Sequence, residues 1–214
     1  MRIKYLGHSC FQIETSGIKI ITDPYTKVGY ELEKGLTADV VTLSHQHFDH
    51  NYVAAIQSDF VCLKDATKRE ISGVTFEGIK TFHDPEQGRL RGENILFKIQ
   101  AENITLCHFG DLGEACREEL LKKIGKVDVL LLPIGGTYTI DAAQAVEYVK
   151  RLNPAIVIPM HYRPKDGALD IADEQAFLST FDKANIAFVG CETEIAKKDV
   201  EESNAKIIFM ERGI

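Results

Sequence analysis

An α/β fold of two packed sheets with helices on the outside is what this 214-residue sequence predicts, and three observations predict it. The first sixty residues alternate short strand-like runs with turns. A second β-rich stretch follows between residues 73 and 110, and from residue 114 onward helix-like and strand-like segments alternate. Each sheet or helix must bury its apolar face against another element, so two β-rich halves with accompanying helices pack most simply as sheet on sheet, with helices outermost.

The elements follow in order. "RIKYLG", "CFQIET", "IKIITD" and "ADVVTLS" read as strands, separated by Gly7, by Ser16-Gly17 and by a longer loop from Pro24 to Thr37. "DHNYVAAIQ" has the apolar spacing of a short helix, with Asp49 where an N-terminal carboxylate is favoured. "GVTFEGIKTF", "NILFKIQ" and "ITLCHFG" are three further strands, the last running into Gly110-Asp111. Then come a helical segment at 114–124, the strand "VDVLLLPI", a helix at 141–152, the strand "AIVIP" and a helical stretch at 173–182. No low-complexity linker or tandem repeat interrupts the pattern, so residues 1–214 are expected to form one domain.

Composition narrows the function classes. With 44% hydrophobic and 27% charged residues the chain belongs with globular proteins. A net charge of −7, from 25 Lys and Arg against 32 Asp and Glu, argues against nucleic-acid binding, which needs a basic face. The opening "MRIKYLGHSCF" lacks the apolar core of a signal peptide, and no segment approaches the roughly 20 apolar residues of a membrane span. A cytoplasmic protein without membrane association, acting on a small molecule, is therefore expected. Oligomeric state has no signature in the sequence. The five cysteines are scattered and form no CxxC pair, so any bound metal must be held by nitrogen and oxygen.

The chemistry concentrates in "SHQHFDHN", residues 44–51, directly after an apolar run. On a turn leaving a strand, His45 and His47 can converge on one point while Asp49 and His50 converge on a neighbouring one. That is the arrangement of a paired metal site. Two cations a few ångströms apart can share a bridging water, lower its pKa and clamp the oxygens of a reacting ester or amide.

"HQHFDH" resembles the HxHxDH signature of the metallo-β-lactamase superfamily. Asp23 in "IITDP", His83 in "FHDP", Asp111 in "HFGDLG" and His161 in "IPMHY" stand in that family's order at strand ends. "GHSCF", "TDP", "GDLG", "PIGGTYT" and "IPMHY" more closely resemble its small bacterial metal-dependent hydrolase branch, related to L-ascorbate-6-phosphate lactonase. The resemblance implies a four-layer αββα sandwich, the metallo-β-lactamase fold. It also implies two divalent transition-metal ions. One would be held by His45, His47 and His83, the other by Asp49, His50 and His161, with Asp111 bridging them. Zinc is expected first, and manganese or iron also suits imidazole and carboxylate donors. His108 is the rival to His83, but it lies within a strand three residues before Asp111, whereas His83 precedes a polar loop. Asp23 is implied to accept the ring N–H of a ligating histidine; its other reading is an ordinary Asp-Pro turn.

Around these ligands further residues are candidates for the substrate. Gly135 and Gly136 can bring backbone N–H groups and Thr137 close to the metals, with Tyr138 and Thr139 beside them; a plain strand-to-helix turn explains the same residues. Arg89 and Arg91 follow His83, where a guanidinium could bind a carboxylate or phosphate, or lie in solvent. His8 in "LGHSC" is a candidate to line the cleft, though a hairpin-turn histidine explains it equally well, and Tyr162 and Arg163 beside His161 carry the same two readings. The expected reaction is hydrolysis, a metal-bridged hydroxide attacking a small anionic ester, lactone or phosphoester. Asp111 and Asp49 are its catalytic carboxylates, and Asp111 orients the nucleophile. The flavodiiron oxygen reductases resemble the motif but usually carry glutamate where His47 stands. The alternative from another class is a non-catalytic ligand-binding or sensing module that metal merely stabilises.

Overall fold

The computed structural model describes residues 1–213. Its strands are β1 (Arg2–Gly7), β2 (Cys10–Thr15), β3 (Ile18–Thr22), β4 (Val40–Thr42), β5 (Val61–Leu63), β6 (Lys68–Ile71) and β7 (Val74–Phe82). They continue with β8 (Glu93–Ala101), β9 (Ile104–His108), β10 (Val129–Pro133), β11 (Ile156–Met160), β12 (Ile186–Val189), β13 (Glu192–Glu194) and β14 (Lys206–Met210). The helices are α1 (Glu118–Ile124), α2 (Ala142–Leu152), α3 (Gln175–Leu178) and α4 (Lys197–Glu202).

The strands form a six-stranded sheet in the order β13-β1-β2-β3-β4-β5 and an eight-stranded one in the order β12-β14-β11-β10-β9-β8-β7-β6. The sheets share one core: Ile3, Phe11, Ile13, Ile20 and Val40 of the first pack in the same cluster as Phe76, Leu96, Ile99, Leu106 and Leu130 of the second. Side chains alternate across a strand, so Ile21 and Val41 turn the opposite way, into a second cluster with Leu6, Tyr25, Val28, Leu36 and Ile56. Irregular chain from Pro24 to Thr37, not a helix, covers that face. On the second sheet β10 and β11 are buried along their whole length, as parallel strands covered on both faces are. Leu120 and Ile124 of α1 and Ala145, Tyr148 and Val149 of α2 supply apolar cover there. The expected α/β sandwich is present, with loop rather than helix in one outer layer.

Several local expectations give way to tertiary pairing. "DHNYVAAIQ" forms no α-helix, only a single 3-10 turn at Val53–Ala55 with no buried residue. Tyr52 N–H donates to Pro24 O (2.7 Å), Gln57 N–H donates to Leu36 O (2.8 Å), and Leu36 bridges Ile56. Those long-range bonds outweigh a weak helical preference. The 114–124 segment turns helical only at Glu118, because Glu114 accepts a hydrogen bond from Phe82 N–H (2.9 Å) at the end of β7. The 173–182 segment keeps α-helix only at Gln175–Leu178.

Parallel pairing of β3 with β4, and of β10 with β9 and with β11, points the carboxyl ends of these strands the same way within each sheet. Polar loops therefore gather at one edge of the sandwich, the usual place for a site in parallel sheets. Close approach there requires glycine. A Cβ on Gly110 (φ 51°) would lie 2.4 Å from Ser44 Cβ, and one on Gly135 would lie 2.2 Å from His161 O. Neither contact is tolerable, so both residues let the exits of β9 and β10 press against the histidine-bearing segments.

Candidate metal centre

The 44–51 turn hangs from β4 and is anchored by Asp23 at the end of β3. Fully buried, Asp23 accepts from Ser44 N–H (2.7 Å), Ser44 Oγ–H (2.5 Å) and His50 Nδ1–H (2.8 Å). Ser44 Oγ also lies 2.9 Å from His45 Nδ1. One carboxylate thus holds the turn and points His50 Nε2 away from itself, toward the centre. His83 is aimed similarly by backbone: its Nδ1–H donates to Tyr138 O (3.0 Å), leaving Nε2 free to face Asp111.

Asp111 stands in the middle. Its Oδ2 lies 3.3 Å from His83 Nε2, 3.2 Å from His161 Nε2 and 3.9 Å from His45 Nε2, while Oδ1 lies 3.1 Å from His50 Nε2. Asp49 Oδ2 lies 3.7 Å from His50 Nε2. Two sets of donor atoms each fall within 4.8 Å of one another: His45, His47 and His83 in one, His8, Asp49, His50 and His161 in the other. His45, His50 and Asp111 form a third such set that joins them. All seven residues expected to ligate metal are therefore gathered at one place.

The electrostatics suit cation binding. Burial pushes the His45 imidazole down to about 2 and that of His8 down to about 4. It lowers His47 as well. These rings are neutral near pH 7, the form that donates to a metal. Burial opposes charge on Asp111, but His161 and His50 hold its carboxyl well below the usual carboxylate range. Burial also opposes charge on Asp49, and its neighbours His8 and His50 keep that carboxyl low. His50 is the exception: against the effect of burial, Asp111 and Asp23 hold it well above the ordinary imidazole value.

Hydrogen bonding tests whether metal ions fit. Among the described residues the buried atoms His8 Nε2, His45 Nε2, His50 Nε2, Asp111 Oδ1 and both ring nitrogens of His161 have no hydrogen-bond partner. An unsatisfied buried polar group costs about 1–3 kcal/mol, so such a cluster is normally avoided. Lone pairs from four chain segments facing one small volume fit a pair of cations.

Other candidates divide. Arg91 reaches the site: its Nη2–H donates to Thr137 O (3.1 Å), its guanidinium sits 5.6 Å above the Tyr138 ring, and it lines a cavity of about 330 Å³ with His45, His47 and Lys64. Arg89 instead turns to Glu86 (2.6 Å) with 74% of its side chain exposed. Gly136 N–H, expected to be available to a substrate, donates to Ile140 O (3.2 Å) and closes its own turn. Thr139 Oγ–H donates to Ile140 O, and Tyr162 is buried with its hydroxyl on Met210 O (3.0 Å) and lines a different cavity, beside Tyr5 and Tyr30. Arg163 is exposed. His108, the rival ligand, has both ring nitrogens engaged, Nε2–H on Ser9 O (2.8 Å) and Nδ1 accepting from Gly110 N–H (3.2 Å).

Residues with no motif also build the site. Ser44 is one. Asn94 accepts from Asp111 N–H (2.9 Å) while its Nδ2–H groups reach Thr81 Oγ1 and Phe109 O. Asp84 accepts four backbone N–H groups, from Glu86, Gly88, Leu90 and Arg91, and so shapes the loop that carries Arg91. Leu90, beside Arg91, is 60% exposed, Phe48 of the "HQHFDH" motif 51% and the sequence candidate Tyr138 40%, on three different loops. A buried asparagine and exposed apolar residues carry no periodic signal; the only hint of Asp84 in the sequence is its place beside His83.

The chain is similar in sequence and fold to known proteins. Residues 2–161 match the beta-lactamase superfamily domain, a span that ends on His161. A UPF0173 metal-dependent hydrolase of Carboxydothermus hydrogenoformans is 28% identical over 197 residues, covering 76% of this chain and 84% of that one. Another from Caldivirga maquilingensis is 30% identical over 189 residues, covering 75% and 81%. Among solved structures, a Thermotoga maritima protein described as a Zn-dependent hydrolase of the metallo-beta-lactamase superfamily is 36% identical, with a TM-score of 0.82 over 98% of both chains. Igni18, a metallo hydrolase from Ignicoccus hospitalis, shares the fold with a TM-score of 0.69 at 22% identity, over 100% of this chain and 96% of that one. By the extent of these matches the chain belongs to the metallo-beta-lactamase superfamily, among its metal-dependent hydrolases.

Proposed function

We propose that this hydrolase cleaves a small anionic ester, lactone or phosphoester with two divalent transition-metal ions, zinc ahead of manganese or iron. The ligands are His45, His47 and His83 for one ion, Asp49, His50 and His161 for the other, with Asp111 between. The supporting observation is the convergence of His83, His161 and His50 to within 3.1–3.3 Å of the Asp111 carboxylate. Bound ions would supply a water of lowered pKa and neutralise the charge that develops on the substrate.

The chain's own groups do the rest. Asp111, oriented through Asn94, faces both donor sets, and its carboxylate is the group to orient the attacking water and take its proton. Asp49 supplies the second carboxylate of the pair. Arg91, propped by Thr137 O and the Tyr138 ring, is the cation that draws in the substrate's anionic group. Residues 1–214 work as one domain, since the larger apolar cluster draws on both sheets and on residues from Met1 to Met210. Free cysteines fit a cytoplasmic setting, and no helix among the described residues is long and apolar enough to cross a membrane.

Catalysis is favoured over mere sensing because His47 is exposed and opens on a cavity. Chelator-stripped protein reloaded with zinc or manganese should hydrolyse members of a panel of lactones, phosphodiesters and phosphomonoesters. His47→Ala should lower that rate by more than about 100-fold, the scale on which removing one stabilising group at a reacting centre is felt. Inactivity of the fully loaded protein on every substrate would favour the sensing module, and failure to take up metal would refute both.

A further inference from the structure

His8 brings an additional donor to the centre, beyond the seven residues just assigned. It sits in the turn between β1 and β2, 1% exposed, with Nε2 unpartnered among the described residues. That nitrogen lies 3.3 Å from Asp49 Oδ2, and the ring lies 4.2 Å from that of His161 and 4.9 Å from that of His50, centroid to centroid. The placement is held from several sides. His8 is left-handed (φ 54°), a conformation disfavoured for a residue with a Cβ. Its carbonyl accepts from Tyr5 Oη–H (3.0 Å) and from His161 N–H (2.9 Å), and the next carbonyl, Ser9 O, accepts from the buried His108 ring (2.8 Å). A strained turn secured by three hydrogen bonds presents a buried ring nitrogen, Nε2, that has no hydrogen-bond partner, a costly arrangement unless something else uses its lone pair.

Building on the two-ion reading, we propose that His8 is a direct protein ligand of the ion held by Asp49, His50 and His161, so that the two halves of the centre are unequal. Metal–donor bonds of about 2.0–2.2 Å place the donors on one ion roughly 3.3–3.6 Å apart in a tetrahedral array. His8 to Asp49 at 3.3 Å falls at that spacing, and Asp49 to His50 at 3.7 Å lies just beyond it. With Asp111 added, this half offers three imidazoles and two carboxylates; the other offers three imidazoles and Asp111 alone. The richer half offers more donors than the other, while the half containing exposed His47 faces the cavity.

Protein loaded with Co²⁺ provides the test by proton NMR, because each ligating histidine contributes one strongly shifted, solvent-exchangeable ring N–H. Six such signals are expected, from His8, His45, His47, His50, His83 and His161, and His8→Gln should lose one. In parallel, calorimetric titration of metal-free protein with Mn²⁺ or Zn²⁺ should show one of two binding events weakened more than about 100-fold in His8→Gln and His8→Ala. That exceeds the ~10–100-fold effect of a residue that only hydrogen-bonds to a ligand. Five signals in the wild-type protein, or a loss of affinity of 100-fold or less in a variant with unchanged circular dichroism, would overturn the proposal. The wild-type signal count needs no variant to fold. Two tightly bound ions with five signals would sink the role of His8 alone, whereas no ion uptake at all would sink the hydrolase reading beneath it.

Discussion

At Asp23 one carboxylate with no exposure serves Ser44 N–H, Ser44 Oγ–H and His50 Nδ1–H at once. Burial alone would favour its protonated form, yet His50 and the other nearby histidines keep it ionised. Asp23→Ala strands three buried donors, one of them on a charged ring, and should destabilise the fold by about 3–5 kcal/mol in urea titrations. The same variant should bind metal about 10–100-fold more weakly in chelator competition, because the ring of His50 loses its orientation. A variant as stable and as tight as the wild type would show that Asp23 is an ordinary turn residue. The Asp-Pro pair left both roles open in the sequence, since a turn and an orienting carboxylate look alike until the partner is known. Ser44 was invisible for a plainer reason: a serine before a histidine is unremarkable unless the backbone folds its hydroxyl onto that ring.

Between β7 and β8 the loop of residues 84–92 owes its shape to Asp84, whose two oxygens accept four backbone N–H groups. Burial opposes its ionisation, but those amides hold the carboxyl below the usual carboxylate range. Hydrogen bonds to a charged group are worth about 1.5–3 kcal/mol each, so Asp84→Ala should let the loop open far more often. Trypsin should then cut after Arg89 or Arg91 at least about tenfold faster than in the wild type, with the rest of the chain still resistant. Equal cleavage rates would mean that β7 and β8 alone hold the loop. The 49–57 segment teaches the converse at this scale. Its apolar spacing fits a helix, but Tyr52 and Gln57 spend their N–H groups on the Pro24–Thr37 loop, and partners from so far along the chain leave no trace in a local pattern.

Across the whole molecule, Glu102 in the turn after β8 ties the second sheet to the first. It accepts from the Met1 ammonium (2.7 Å), Thr15 Oγ1–H (2.8 Å) and Ser16 N–H (2.9 Å). The Met1 ammonium, with Ser16 and Thr15, depresses the Glu102 carboxyl from 4.5 to about 2. A depressed carboxyl stabilises the fold fully above its unfolded value and loses that contribution as pH falls through the folded one. Urea titrations should therefore find wild type more stable than Glu102→Gln at pH 6, with the gap narrowing below about pH 4.5 and closing near pH 2. A gap that persists unchanged to pH 2.5 would assign the effect to packing instead of charge. Because the carboxylate is 40% exposed, solvent screens the tie and the gap should be modest.

Donor chemistry and its local clustering were the sequence's own contribution. His45, His47, Asp49 and His50 lie within six consecutive residues, so chain connectivity keeps them together whatever the rest of the protein does. Strand-end motifs around Asp23, His83, Asp111 and His161 were enough to indicate the superfamily and its sandwich, because strand periodicity and donor order are one-dimensional properties. Which atoms face one another depended on the fold. Only the pairing of β7 through β11, with Gly110 and Gly135 allowing backbone contact, delivers His83, Asp111 and His161 to the turn after β4. The left-handed backbone of His8 and the orphaned nitrogen it presents have no sequence pattern, since the turn is secured by a hydrogen bond from His161 that exists only after the two sheets have closed.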